Sequence, residues 1–186
     1  MDLIGYTLPD DIFIDANIWS YFALRNPKFQ KDCTQFLERV EQSQISGVTS
    51  NFVLNEVLHV ILIGKGSEIL QTDKIWKIKE QLKKDAALSA QCYKACTDFL
   101  GYVNVLKAKG LRILDIGYDV IATSPDLGKS YKLLGTDALH LATCKAQSIK
   151  HLATNDSDFD NVDILTVWKP QSVPVASPQP PNHPAT

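Results

Sequence analysis

Apolar positions along this chain follow two alternating periods. Short runs rich in β-branched and aliphatic residues at 11–15, 45–49, 111–115, 150–154 and 163–167 have the length of buried strands. Between them, apolar residues recur three and four positions apart over 17–24, 28–44, 51–63, 67–84, 86–109 and 136–147, and again from Tyr118 onward, which predicts helices. Pro27 stands near the second helix start, where its missing N–H does no harm. Gly64 and Gly66 predict the end of the helix that opens at about Asn51, and Pro125 predicts a break in the one from Tyr118. Strands separated by helices make βαβ units, so the pattern predicts an α/β fold with five parallel strands covered by helices on both faces.

The pattern stops at residue 170. Six of the nine prolines fall in the last seventeen residues, too many for helix or sheet, so 170–186 reads as a flexible Pro-rich tail. The rest, 1–169, reads as a single domain that includes a helical segment at 67–109. The longest strongly apolar stretch, 57–63, contains His59 and is far shorter than the roughly 18 residues of a membrane span. The N-terminus has no form of a secretory signal, and these two features together predict a cytoplasmic protein without a membrane contact. Nineteen basic residues against 21 acidic ones, a net charge of -2, exclude a polybasic protein that holds nucleic acid by bulk charge. Cys33, Cys92, Cys96 and Cys144 are too scattered for a zinc site and read as buried free thiols.

Four acids change the picture, because they interrupt segments that a plain core would leave uncharged. Asp15 ends the first strand and Asp156 lies just past the fourth. Glu56 is the only charged residue between Gly47 and Gly64, on the inward stripe of its helix, and Asp137 is the only one between Lys132 and Lys145. Each has an ordinary explanation as a cap, a turn residue or half of an ion pair. Together they have a second one. Ligands of open parallel sheets bind beyond the C-terminal strand ends, where Asp15 and Asp156 sit, and Asp137 opens a helix whose positive end favours an ionised carboxylate. Converging oxygen ligands without thiolates suit Mg²⁺ or Mn²⁺, and a carboxylate-held divalent ion is the usual setting for phosphodiester cleavage. The residues therefore point to a nuclease.

The same residues carry a resemblance. IFIDANIW (12–19), TSNFVLNEVLHV (49–60), GTDALHLAT (135–143) and ATNDSDFD (153–160) resemble, in order, the four motifs of PIN-domain proteins, particularly VapC-type toxins of toxin–antitoxin pairs. The resemblance implies a five-stranded parallel sheet and Mg²⁺-dependent endoribonuclease activity. It assigns Asp15, Glu56, Asp137 and Asp156 to the metal-binding, catalytic pocket, with Asn17 and Thr154 as polar supports. It further implies an RNA substrate, homodimerisation and a small antitoxin partner whose C-terminal segment aims an Arg at the carboxylates. Two features depart from it: Ala16 stands where many such chains carry Thr or Ser, and the stretch between Glu56 and Asp137 is longer than in a compact member.

Other readings rank lower. The 156–160 run is no calcium loop, since Asn161 and Val167 occupy the places of the turn glycine and closing glutamate, but Asp158 stands close enough in sequence to support Asp156. His140, one turn after Asp137, reads first as a core or hydrogen-bonded histidine and second as a residue facing the same site. Five lysines at 74–84 with Trp76 among them read first as a solvated helix face and second as an RNA-contacting edge, and Trp19, Tyr93 and Tyr102 read as packing residues. The runner-up enzyme is a phosphatase of the haloacid-dehalogenase type with Asp15 as nucleophile, although Asn17 replaces the second Asp such enzymes use. The non-enzyme alternative is a PIN-like module that binds RNA or a partner without cutting.

Overall fold

The computed structural model describes residues 1–173. Among these, five strands form one parallel sheet in the order β3-β2-β1-β4-β5. They are β1 (Ile12–Ile14), β2 (Gly47–Ser50), β3 (Arg112–Leu114), β4 (His151–Ala153) and β5 (Thr166–Trp168). β1 is the central strand, with Ile12 beside Gly47 on one side and beside His151 on the other. Its three residues are fully buried, as a strand covered on both faces requires. The strands begin and end within three residues of the positions expected from the sequence, an ordinary margin for element ends.

The helices are α1 (Ala16–Ala23), α2 (Gln30–Glu41), α3 (Asn51–Leu70), α4 (Ile75–Lys84), α5 (Ala86–Ala108), α6 (Tyr118–Tyr131) and α7 (Gly135–Ala146). The chain steps from β1 to β2 to β3, then crosses back to β4 on the other side of β1. The main helix contacts fall into two groups, α1–α5 and α6 with α7, which is the division between the two faces of the sheet that right-handed crossovers in opposite directions require. Among the described residues, no helix is long and apolar enough to cross a membrane. All four cysteines are free and buried.

Two helix boundaries differ from the expectation, each for a packing reason. Gly64 and Gly66 do not end α3, which runs on to Leu70. A Cβ at Gly66 would lie 2.6 Å from Ile78 Cγ2 of α4, and one at Gly64 would lie 2.8 Å from Leu24 Cδ1. These glycines let other chain segments approach a continuous helix, and tertiary contact outweighs their low helix propensity of about 1 kcal/mol each. The helical segment expected at 67–84 is thereby shortened to α4. Pro125 does not break α6 either. It removes the N–H that would bond the Ile121 carbonyl, and the Ser124 hydroxyl donates to that oxygen instead at 2.8 Å.

The stretch from Pro170 begins packed against the domain. The Gln171 N–H donates to Asp32 Oδ2 at 2.9 Å and the Val173 N–H to the Lys28 carbonyl at 3.0 Å. The remainder of the expected tail, 174–186, lies outside the described residues. Trp19 is buried and meets Phe99 edge-on, and Tyr102 stacks on Phe22, both as packing residues. Tyr93 is instead 58% exposed, because it lies at the open rim of a groove between α5 and the Leu58, His59 and Leu62 side of α3.

Candidate active site

The sheet order reverses at β1, since β2 follows it on one side and β4 flanks it on the other. A crevice at such a switch point opens beyond the C-terminal strand ends, and the acids gather there. Asp15, directly after β1, caps α1 and is almost fully buried. Its Oδ1 accepts the Ala16 N–H at 2.6 Å, and its Oδ2 accepts both the Asn17 Nδ2–H and the Thr154 hydroxyl, each at 2.6 Å. Thr154, just past β4, also accepts from Asn17 Nδ2 at 2.7 Å and from the Asp156 N–H at 3.0 Å. Its one hydrogen and both lone pairs are in use. Asn17 Oδ1 completes the clasp by accepting the Asn155 N–H at 2.9 Å. Two strand ends are thus joined through three side chains.

Asp137 arrives from the first turn of α7, and Asp156 and Asp158 from the short 3-10 turn after β4. Each offers a carboxylate oxygen within 4.8 Å of the others. Asp156 also caps its turn by accepting the Asp158 N–H at 2.9 Å, so capping and clustering coexist in one residue. Asp158, a supporting residue by sequence, belongs to this tight group. Asp15 and Glu56 form the other half of the cluster and meet at His140, whose Nε2 lies 3.6 Å from Asp15 Oδ1 and 3.6 Å from Glu56 Oε2.

The electrostatics join the two halves. Burial raises the Asp15 carboxyl above the usual carboxylate range, assisted by the Glu56 charge and opposed by His140 and the hydrogen bonds from Thr154 and Ala16. Asp137 is pushed up to about 6, first by desolvation, then by the negative charge of Asp156, with further contributions from Asp15 and Asp158 and an opposing one from His140. Carboxylates crowded in this way are short of positive charge.

His140 is the residue that the sequence ranked too low, since the placement at the site stood second to a core role. It is buried as expected, yet neither ring nitrogen has a hydrogen-bond partner among the described residues, and Glu56 Oε2 is likewise buried and unpartnered there. The signal was the three-residue spacing from Asp137, which places both on one face of α7. No lysine of the described residues pairs with Glu56. A polar cleft of about 480 Å³, lined by Tyr131, Lys132, Ser157 and Asp158 among others, opens beside the cluster.

The donor set fits a hard divalent cation. The three Asp residues supply oxygen only, and opposite ligands of an octahedral Mg²⁺ stand about 4 Å apart, so modest side-chain rotation brings these carboxylates to ligand distance. A phosphorylated Asp15 fits less well, because both of its oxygens are already engaged inside the clasp.

The PIN domain family profile matches residues 12–165. This chain belongs to the PIN-domain family. Among curated relatives, it is similar to Ribonuclease VapC6 of Methanocaldococcus jannaschii, with 45% identity over 65 residues, or 35% of this chain and 42% of that protein. The chain thus spans about two fifths of that relative's length. It is also similar to Ribonuclease VapC2 of the same organism, with 27% identity over 157 residues that cover 84% of this chain and 91% of that one. The PIN fold is shared with the crystal structure of VapC20 of Mycobacterium tuberculosis, described as a Sarcin-Ricin loop cleaving toxin. The TM-score is 0.50 at 15% identity, covering 82% of this chain and 95% of that one.

Proposed function

We propose that this PIN-domain protein is a divalent-metal-dependent endoribonuclease acting as the toxin of a toxin–antitoxin pair. The observation that carries the reading is the convergence of Asp137, Asp156 and Asp158 within 4.8 Å, beside Asp15 and Glu56, in a chain similar along most of its length to a named ribonuclease. The resident ion of this reading is Mg²⁺ or Mn²⁺, held by Asp137 and Asp156 with Asp15, Glu56 and Asp158 around it. When bound, such an ion lowers the pKa of water and neutralises charge on a phosphodiester.

The chain's own residues do the rest. Thr154 and Asn17 hold the Asp15 carboxylate at one angle, so that it faces the cluster without cost of reorganisation. In this reading Glu56 takes the proton from attacking water, a role supported by its buried Oε2, which has no hydrogen-bond partner among the described residues. His140 Nε2 stands 3.6 Å from both Asp15 Oδ1 and Glu56 Oε2 and so fixes the spacing between them. A small antitoxin fits the same groove through an Arg, whose planar fork engages two carboxylate oxygens at once. The reaction and its partner belong in the cytoplasm.

The test incubates metal-stripped protein with labelled single-stranded RNA and, separately, with a phosphomonoester, each with and without Mg²⁺ or Mn²⁺. Internal RNA cleavage that depends on the added ion is the expected result. Phosphate release from the monoester with intact RNA would replace the nuclease with a phosphatase, and inertness toward both with RNA still bound would leave a binding module.

A further inference from the structure

Helix α4 is built in a way that a merely solvated face does not need. Of its lysines and that of its cap, only Lys84 makes an ion pair among the described residues, to Glu80 at 2.6 Å. Lys74, Lys77, Lys79 and Lys83 have no acidic partner there. Trp76 is 66% exposed, whereas Trp19 and Trp168 are 0% and 8% exposed. Trp76, Lys79 and Lys83 stand at i, i+3 and i+7 and therefore share one stripe about 10 Å long. Within it, Lys79 and Lys83 are like charges four residues apart, a mildly repulsive pair that an anion laid against the stripe would relieve.

α4 is also tied to the acidic site. Ile78, its one fully buried residue, sits against Gly66 of α3. Gly66 follows Glu56 by ten positions on the same helix, or about 15 Å along its axis. α4 is thus packed on the helix that carries Glu56.

We propose that α4 is a second contact for single-stranded RNA, in which Trp76 stacks on a base and Lys79 and Lys83 hold flanking phosphates. This rests on the ribonuclease reading above and extends it to the strand beside the cleaved bond. An aromatic face between cations is the common means of holding single strands without reading sequence. An anionic membrane is the weaker occupant, because the apolar face of α4 is already used for packing, with Ile78 buried against Gly66 and only Ile75 and Trp76 left as large exposed apolar side chains. Here Ile78 is turned into the protein and Trp76 lies among the lysines.

The three-tryptophan composition makes the test direct, since Trp76 alone is accessible to acrylamide. Full-length protein in chelator, so that nothing is cleaved, is titrated with a single-stranded RNA of about 16 nucleotides, the upper site size of comparable modules. Binding is read independently by fluorescence anisotropy of the labelled RNA. Trp76 emission is expected to be quenched and protected from acrylamide as the RNA binds. Replacing Lys79 and Lys83 together by Gln is expected to weaken binding roughly tenfold at low salt. The slope of log affinity against log salt should flatten by about 1.4, or about 0.7 for each phosphate that is no longer neutralised. RNA binding with unmoved Trp76 emission, an unchanged salt slope, or no RNA binding at all would each overturn the proposal. A blue shift on phosphatidylserine vesicles without a response to RNA would replace it with a membrane contact. RNA bound on α4 but never cut when Mg²⁺ or Mn²⁺ is added would sink the ribonuclease reading and leave this contact standing.

Discussion

Thr154 donates its hydroxyl to Asp15 Oδ2 at 2.6 Å across 139 residues of sequence, and through that bond the ends of β4 and β1 become one site. Both residues are buried, so water cannot replace the bond when it is lost. Thr154→Val keeps the shape but leaves Asp15 Oδ2 with one partner fewer and the Asn17 amide and the Asp156 N–H short of an acceptor. The expected cost is about 1–3 kcal/mol of stability, measured by urea unfolding, together with slower RNA cleavage. A variant as stable and active as wild type would show that the clasp has no role.

Asp15→Asn and Asp137→Asn each remove a charge from the cluster with little change of volume. Cleavage in Mg²⁺ or Mn²⁺ is expected to fall on the order of a hundredfold or more in each, with an unchanged circular dichroism spectrum. Activity that persists with the same cleavage pattern removes that residue from the reaction.

The crowded acids also set a pH dependence for the metal-free protein. Asp137 has its folded pKa raised to about 6 against an ordinary value of 3.8, and Asp15 is raised as well. The folded state therefore holds protons that the unfolded chain has released, and stability falls as pH rises through this window. Thermal melts in chelator should show a lower Tm at pH 7 than at pH 4.5, with a smaller difference in Asp137→Asn. An identical pH dependence in that variant would mean that Asp137 is not strained in the metal-free fold.

Divalent ions should reverse the repulsion. Binding only to the folded state adds about 2.7 kcal/mol at a hundred times Kd, so Mn²⁺ is expected to raise the Tm of wild type well above its value in chelator and to raise that of Asp137→Asn far less. Equal shifts in both would show that Asp137 is not a ligand.

Gly66 and Gly64 differ in what a methyl group would meet. At Gly66 the obstacle is the stiff, β-branched Ile78, fully buried, so Gly66→Ala should cost about 1–3 kcal/mol by prising α4 from α3. At Gly64 it is the free end of Leu24, a half-exposed side chain that can swing aside. Gly64→Ala should be neutral or stabilising by about 0.5–1 kcal/mol through helix propensity. The order of the two urea midpoints checks the prediction.

The sequence alone determined the α/β class, the five strands and the four acids, because these depend on local periodicity and on charges set in apolar runs, which are legible one segment at a time. Tertiary structure decided the rest. Glycine in a helix and proline in a helix read locally as stops; at Gly66 a neighbouring helix makes the small residue an advantage, and at Pro125 a serine hydroxyl supplies the missing bond. Asp158 joined the tight acidic group and His140 came to rest between Asp15 and Glu56 only through the meeting of α3, α7 and two strand ends. No local pattern reports such a meeting, because the distance between residues far apart in the chain is set by how the layers pack.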